Sequence, residues 1–148
     1  MALQQQTRTS LRAAIANSGA FKELKGLLEM NSVGVASATF SVAAEAANNI
    51  DTTIQCKDEF GNNVAGVRSL DINIVGQSGG TGFNANTYTV SATTGAVVEV
   101  VASKVLRVLT NSTGQAVIRL TNAGAVTCYL ALVLPNGSQT VSAAIAHT

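Results

Sequence analysis

Several residue types on which chemistry and nucleic-acid binding depend are scarce in this sequence. Its 148 residues include one histidine, His147, and no tryptophan, and 4% of them are aromatic. Charged residues make up 11%, and the net charge is +1, from 9 basic and 8 acidic side chains. Nucleic-acid binding depends on excess positive charge, and histidine is the commonest general base and a frequent metal ligand. We therefore expect no enzyme, no cofactor and no nucleic-acid partner.

Long hydrophobic runs are absent as well. The run from Leu130 to Leu134 is closed by Pro135, whereas a helix that crosses a bilayer needs about 20 apolar residues. Near the start of the sequence, Gln4, Arg8 and Arg12 interrupt the apolar stretch of roughly 7–15 residues that a secretory signal requires. These absences predict a protein that is made in a cytoplasm, does not bind membranes and keeps its cysteines reduced.

The first 31 residues differ in character from the rest. Four basic and two acidic side chains give residues 1–31 a net charge of +2, against −1 for residues 32–148, which have five basic and six acidic side chains. Residues 10–17 and 20–30 have helix-forming composition, but both segments are shorter than the about 12–15 residues that an isolated helix needs. We predict a short helical arm over residues 1–31 that docks on its own domain, on another copy or on a different protein. Its candidate partner-binding residues are Arg8, Leu11, Arg12, Ile15, Phe21, Leu24 and Leu28.

From residue 32 onward, apolar and polar residues alternate with period two, and turn-forming residues recur at short intervals. The pattern predicts strands near 35–42, 50–57, 67–75, 87–92, 97–101, 105–110, 116–121, 125–134 and 139–146. The inward-facing residues are predicted to include Ile50, Thr52, Ile54, Leu70, Ile72, Ile74, Ile118, Leu120, Val141, Ala143 and Ile145. Pro135 to Ser138, with Asn-Gly at its centre, predicts the last hairpin turn. Short strands of this kind without helical crossovers are typical of a mainly β, two-sheet antiparallel sandwich over residues 32–148.

The two cysteines fall on predicted strands. Cys56 lies on the second strand and Cys128 on the penultimate one, each among apolar neighbours. In an immunoglobulin-type sandwich these two strands face each other across the core, and a disulfide joins them. The other interpretation is a pair of small buried apolar side chains. Because no export signal is present, reduced thiols are favoured.

The remaining candidate catalytic, metal-binding and phosphate-binding residues lack the sequence patterns that such sites require. His147 is the penultimate residue of a tail that we expect to fray, so a catalytic triad is not predicted. The residues from Asp58 to Asn63 offer oxygen ligands but lack the spacing of a calcium loop. Asp51 and Asp71 are predicted on separate strands, which separates the two carboxylates. The glycines from Gly79 to Gly82 predict an exposed, flexible loop tip, because no phosphate-binding motif follows them.

The segment from Val33 to Ile145 resembles the immunoglobulin-like domains of bacteriophage structural proteins. The resemblance is carried by residues 35–42, 46–55 and 57–62 and by the closing segment 125–137. It implies an immunoglobulin-like sandwich and a capsid decoration (cement) protein, which binds the outer surface of a phage head and stabilises contacts between capsomers. The implied partners are the major capsid protein and further copies of the chain, with a trimer preferred over a dimer, and the implied location is the virion surface. The motifs include no catalytic signature, so the resemblance assigns no catalytic residue.

A recognition protein is the alternative. A phage tail or fibre module would use the loop from Gln77 to Asn86 to bind a host surface, and a domain of a bacterial adhesin or pilus would be similar. Few aromatic residues are present to anchor a ligand, which favours decoration over recognition.

Overall fold

The computed structural model describes residues 35–134 and 137–148, which belong to one compact unit that begins at Val35. These residues form ten strands and no helix: β1 Ser37–Val42, β2 Asn49–Lys57, β3 Ser69–Val75, β4 Thr89–Thr94, β5 Ala96–Val101, β6 Val105–Leu109, β7 Gln115–Thr121, β8 Thr127–Val133, β9 Gln139–Val141 and β10 Ile145–Ala146. The predicted helical arm and all its candidate residues lie outside the described residues. Within the described ranges, no helix is long and apolar enough to cross a membrane.

The strands form two antiparallel sheets. One has four strands in the order β1-β2-β7-β4, and the other has six, in the order β10-β8-β3-β6-β5 with β9 also paired to β8. Strands β9 and β10 pair with successive parts of β8, through Val133 opposite Gln139 and Cys128 opposite Ile145. The chain is therefore mainly β with a sandwich-like architecture, as the sequence predicted.

Inward-facing side chains from both sheets form one apolar core. The four-stranded sheet contributes Ile50, Ile54, Ile118 and Leu120, and the six-stranded sheet contributes Leu70, Ile72, Ile74, Leu106 and Leu130. All of these side chains are buried. The predicted alternation on β2, β3 and β7 is confirmed. Burying several large aliphatic side chains, at about 1.5–3 kcal/mol each, is the main contribution that holds the two sheets together.

A single glycine lets the chain pass from one sheet to the other. Gly95 separates β4, which pairs with β7 in the four-stranded sheet, from β5, which pairs with β6 in the six-stranded sheet. It has φ +78°, and a Cβ atom there would overlap the carbonyl oxygen of Leu109. Both strands also shift register, between Ala92 and Thr94 and between Glu99 and Val101. Bends and bulges of this kind form the corners at which strands change sheets.

The end of the chain differs from the prediction in two ways. The expected alternation of Val141, Ala143 and Ile145 is wrong at its centre, because Ser142 is buried there and Ala143 is exposed. The hydroxyl of Ser142 accepts a hydrogen bond from the backbone N–H of Leu130 at 2.9 Å, and its own N–H donates to the Leu130 carbonyl at 2.9 Å. The Ser142 hydroxyl thus accepts the hydrogen bond that a backbone carbonyl would accept in a regular strand pair. The last predicted strand is divided at this position into β9 and β10.

The expected fraying of the C-terminal tail is also wrong. The backbone N–H of His147 donates to the carbonyl of Val126 at 2.9 Å, and the imidazole has no exposed surface. The turn after β8 is closed by hydrogen bonds from Leu134 N–H to the Ser138 carbonyl and from Gly137 N–H to the Leu134 carbonyl. Pro135 and Asn136, at the centre of the predicted hairpin turn, lie outside the described residues.

Candidate interaction surface

The outward-facing side chains of the four-stranded sheet are mainly polar. Outward positions alternate with the core residues along each strand. On β2 and β7 they include Thr53, Gln55 and Gln115, with the ion pair of Asp51 and Arg119. Both carboxylate oxygens of Asp51 accept hydrogen bonds from the guanidinium, at 2.7 and 2.8 Å, which lowers the pKa of Asp51. We call this surface the polar face.

The outward-facing side chains of the six-stranded sheet are much more apolar. Val98 on β5 is 62% exposed, Leu109 on β6 is 41% exposed and Val133 on β8 is 40% exposed. Val101 on β5 is also exposed and lies opposite Val105 of β6. We call the surface formed by these five residues and the charged pair described next the valine face. Exposed apolar clusters on one face of a soluble domain often mark sites of protein interaction.

One ion pair lies within the valine face. Arg107 of β6 and Asp71 of β3 are cross-strand partners, with Nε of Arg107 2.9 Å from Oδ1 of Asp71 and Nη2 3.4 Å from Oδ2. Their side chains are 57% and 56% exposed. An ion pair this exposed contributes little to stability, typically about 0–1 kcal/mol. The ion pair therefore contributes more to the choice of a binding partner for the face than to the stability of the fold.

Four residues form a straight row across the valine face. Val98 is the cross-strand partner of Arg107, Arg107 of Asp71, and Asp71 of Val133. Adjacent members of such a row have their Cβ atoms about 5 Å apart. The order from β5 to β8 is therefore valine, arginine, aspartate, valine, and Gln139 of β9 continues the row beyond Val133.

A cavity of about 220 Å³ adjoins the valine face and is lined by Asn73, Val75, Gly80, Gly82 and Phe83. Phe83 is 59% exposed. The loop that covers β3 here is held by a hydrogen bond from the Gln139 amide to the Gly80 carbonyl at 3.2 Å. The predicted glycine-rich tip is therefore hydrogen-bonded at Gly80, which is buried, to the first residue of β9.

Burial makes the two cysteines chemically inert. Cys56 and Cys128 are both free thiols with no exposed surface, and both belong to the core. Burial raises the pKa of each thiol. The thiolate is the reactive form, so thiols of this kind are poor nucleophiles at neutral pH.

A second group of polar residues lies at the C-terminus. Nδ1 of His147 is 3.4 Å from Oε1 of Glu45, and the His147 ring lies 5.9 Å from the ring of Tyr88, between centroids. The other oxygen of Glu45 accepts hydrogen bonds from Thr148. These contacts bind the end of the chain to the connection between β1 and β2, and they give this group a structural role.

The other candidates from the sequence also have structural roles. Oδ1 of Asp58 accepts hydrogen bonds from the backbone N–H groups of Phe60 and Asn62, at 2.9 and 2.8 Å, and so closes its own loop. Asp51 and Asp71 lie on separate strands as predicted, and each pairs with an arginine. Among residues 35–134 and 137–148, no group of three or more histidine, cysteine, aspartate or glutamate residues is placed to hold a metal ion.

Sequence reasoning did not find the valine face. The signal that could have found it is the run from Ala96 to Val101, which is apolar at both alternating positions except for Glu99. An edge strand of a sandwich should be polar on its outward positions, so this run indicates a second covered face. No protein-family model matches this chain, and no curated protein matches it.

Proposed function

We propose that this protein is a capsid decoration protein, which binds the outer surface of a phage head and stabilises contacts between capsomers. The observation that carries the proposal is the valine face, an exposed apolar surface on a well-packed two-sheet body. An exposed sheet face suits a protein partner, whereas small molecules bind in concave pockets. The resemblance of residues 33–145 to the domains of phage structural proteins implies two partners, further copies of the chain for the valine face and the major capsid protein for the arm.

The proposal includes the immunoglobulin-like class of the sandwich. In that class, two central strand pairs, one in each sheet, form the common core. The pairs β2–β7 and β3–β8 match this arrangement, and Cys56 on β2 and Cys128 on β8 lie on the strands that the immunoglobulin disulfide joins. The hairpin of β5 and β6 extends the second sheet beyond β3 and departs from the simplest immunoglobulin order.

In the proposed function, the arm, residues 1–31, attaches the protein to the capsid lattice. Its excess positive charge, +2 against −1 for the rest of the chain, distinguishes it from the sandwich. A segment whose sequence predicts two short helices, each too short to be stable alone, suits a clamp between neighbouring subunits. The sandwich then remains at the head surface, where its valine face is available for contact with neighbouring copies.

Cosedimentation with undecorated heads of the phage that encodes the chain tests this function. The full-length protein should pellet with the heads and raise their melting temperature. The variant Phe21→Ala/Leu24→Ala/Leu28→Ala should lose binding, because it removes the apolar stripe of the arm. The matched control, Gln4→Ala/Gln5→Ala/Gln6→Ala, changes three polar residues of the same arm and should bind like the wild type. Absence of the wild-type protein from the pellet would reject decoration, and equal binding of the stripe variant would reject the arm as the attachment site.

A tail or fibre module that recognises a host surface is the second candidate. It is favoured by one observation, the exposed ring of Phe83 beside the cavity in the loop from Gln77 to Asn86. An exposed aromatic residue next to a cavity is a common anchor for binding. Under this function, the variant Phe83→Ala should lose binding to host cells. Under decoration, it should bind heads as the wild type does.

A further inference from the structure

We propose that the valine face is self-complementary, and that two copies of the chain pack face to face across it. The twofold axis would run parallel to the strands, between β6 and β3. This inference deepens the proposed function by naming a partner for the same surface. It concerns association in solution, so it can be tested without a capsid.

The row across the face supplies the charge complementarity. A twofold axis between Arg107 and Asp71 exchanges the two ends of the row Val98, Arg107, Asp71, Val133. Arg107 of one copy then lies opposite Asp71 of the second copy, and Val98 lies opposite Val133. An isologous interface requires such a match, because the same patch must be complementary to itself.

The same rotation gives each charged group a second partner. In one copy, the guanidinium and the carboxylate are already hydrogen-bonded at 2.9 Å, with more than half of each side chain exposed. In the dimer, four charges alternate in sign at the centre, and Leu109 and Val105 of β6 lie opposite Ser69 and Asn73 of the second copy. Complementary charges determine the register of an interface and exclude other pairings.

The free edge of β5 is a poorer site for a second copy than the face. Glu99 places a charge on this edge strand, and its Oε2 accepts a hydrogen bond from the backbone N–H of Ser103 at 2.6 Å. The register shift between Glu99 and Val101 further disrupts the edge. Charges and bulges on edge strands prevent edge-to-edge pairing. The contact is therefore between faces.

The size of the face indicates a reversible dimer. Four adjacent strands, β5, β6, β3 and β8, at a spacing of about 4.8 Å and with about six residues each, cover roughly 400 Å² per copy. Stable interfaces bury about 800 Å² of accessible surface per partner, so this contact is about half that size and smaller than a stable interface. Association should therefore depend on concentration. A dimer of this kind differs from the trimer that the resemblance implies.

Two charge variants and their mixture test the inference by sedimentation velocity over a series of concentrations. Asp71→Arg places two arginines in the row, and Arg107→Asp places two aspartates there. Each variant alone should self-associate at least about tenfold more weakly than the wild type, because like charges then meet at the centre. A 1:1 mixture should recover a dimer, because the two altered rows are complementary. Recovery on mixing cannot come from the ion pair within one copy, since neither variant retains it.

The polar face supplies matched controls. Asp51→Arg and Arg119→Asp make the same changes in the ion pair of the four-stranded sheet and should associate as the wild type does. Circular dichroism should give the same spectrum for all five proteins, because the four altered side chains point outward.

Three results would each overturn the inference: a wild type that stays monomeric at every concentration, variants that associate like the wild type, or a mixture that stays monomeric. Head binding is measured separately, so the two proposals can fail independently. A monomeric protein that binds heads would reject the dimer alone, and a dimeric protein that does not bind heads would reject decoration alone.

Discussion

Glu45 holds the last residue of the chain, Thr148, although 103 positions separate them in the sequence. One carboxylate oxygen, Oε2, accepts hydrogen bonds from the backbone N–H of Thr148 at 2.9 Å and from its hydroxyl at 2.7 Å. These bonds, from the hydroxyl first and the backbone second, lower the pKa of Glu45 below its ordinary value of 4.5. Nδ1 of the neighbouring His147 lies 3.4 Å from the other carboxylate oxygen, Oε1.

The variant Glu45→Gln should therefore change stability in a pH-dependent way. A carboxyl whose pKa is lowered by folding stabilises the folded state at pH values above its unfolded pKa, and loses this contribution as the pH falls through the folded pKa. The wild type should have a higher urea midpoint than Glu45→Gln at pH 7, and the difference should disappear well below pH 4.5. Glu59→Gln, on an exposed loop, is the control and should match the wild type at pH 7. Equal midpoints of the wild type and Glu45→Gln at pH 7 would contradict the role assigned to Glu45.

Gly95→Ala should destabilise the protein by about 2–4 kcal/mol, from the positive φ and from the overlap of the new methyl group with the Leu109 carbonyl. Gly61→Ala is the matched control, because Gly61 has φ +82° but an added methyl group there would meet no atom within 4 Å. It should cost about 1 kcal/mol. The free energy of unfolding in urea measures both. If the two variants lose the same amount, Leu109 does not restrict the corner between β4 and β5.

Ser142→Ala should cost about 1–3 kcal/mol, because it leaves the backbone N–H of Leu130 without the hydroxyl that accepts its hydrogen bond. Ser91→Ala, at an exposed position on β4, should change the free energy of unfolding by less than about 0.5 kcal/mol. Both values come from urea unfolding at neutral pH. A loss for Ser142→Ala no larger than for Ser91→Ala would mean that another group satisfies Leu130.

Cys56 and Cys128 should both titrate as free thiols in denaturant without reductant, and both should react slowly in the native protein. Burial blocks access to each thiol and raises its pKa, so the thiolate is rare at neutral pH. Titration with a chromogenic disulfide reagent, with and without urea, measures both states. The single variants Cys56→Ala and Cys128→Ala assign the two signals. Fewer than two free thiols in denaturant would indicate a disulfide, and fast reaction of the native protein would contradict the burial.

The strands and the core could be predicted from the sequence where the alternation is uninterrupted. On β2, Ile50, Thr52 and Ile54 alternate with polar residues, and all three are buried. For Ile50 and Ile54, local pattern and tertiary packing specify the same structure. Thr52 follows the same alternation, although its buried hydroxyl has no hydrogen-bond partner among the described residues. At Ser142 they disagree, because a hydrogen bond to Leu130 favours a serine inside over the neighbouring Ala143.

The valine face could not be predicted from the sequence, because it depends on pairing between distant strands. In the sequence, Asp71 is an isolated carboxylate 36 positions from Arg107, and nothing local indicates that they meet. The register of β3 with β6 brings them together, and the register with β5 and β8 places a valine at each end of the row. The registers between these strands are set only when the whole sheet has folded, so no local sequence pattern indicates them.

The scarcity of charge, histidine and aromatic residues, together with period-two alternation, determined from the sequence alone that this is a mainly β chain with an aliphatic core. Those properties are local or compositional, so they can be read before folding. The tertiary structure decided that His147 is buried and that one sheet face is polar and the other apolar. Both outcomes depend on which distant strands become neighbours, and burial and hydrogen bonding over the whole fold select those neighbours.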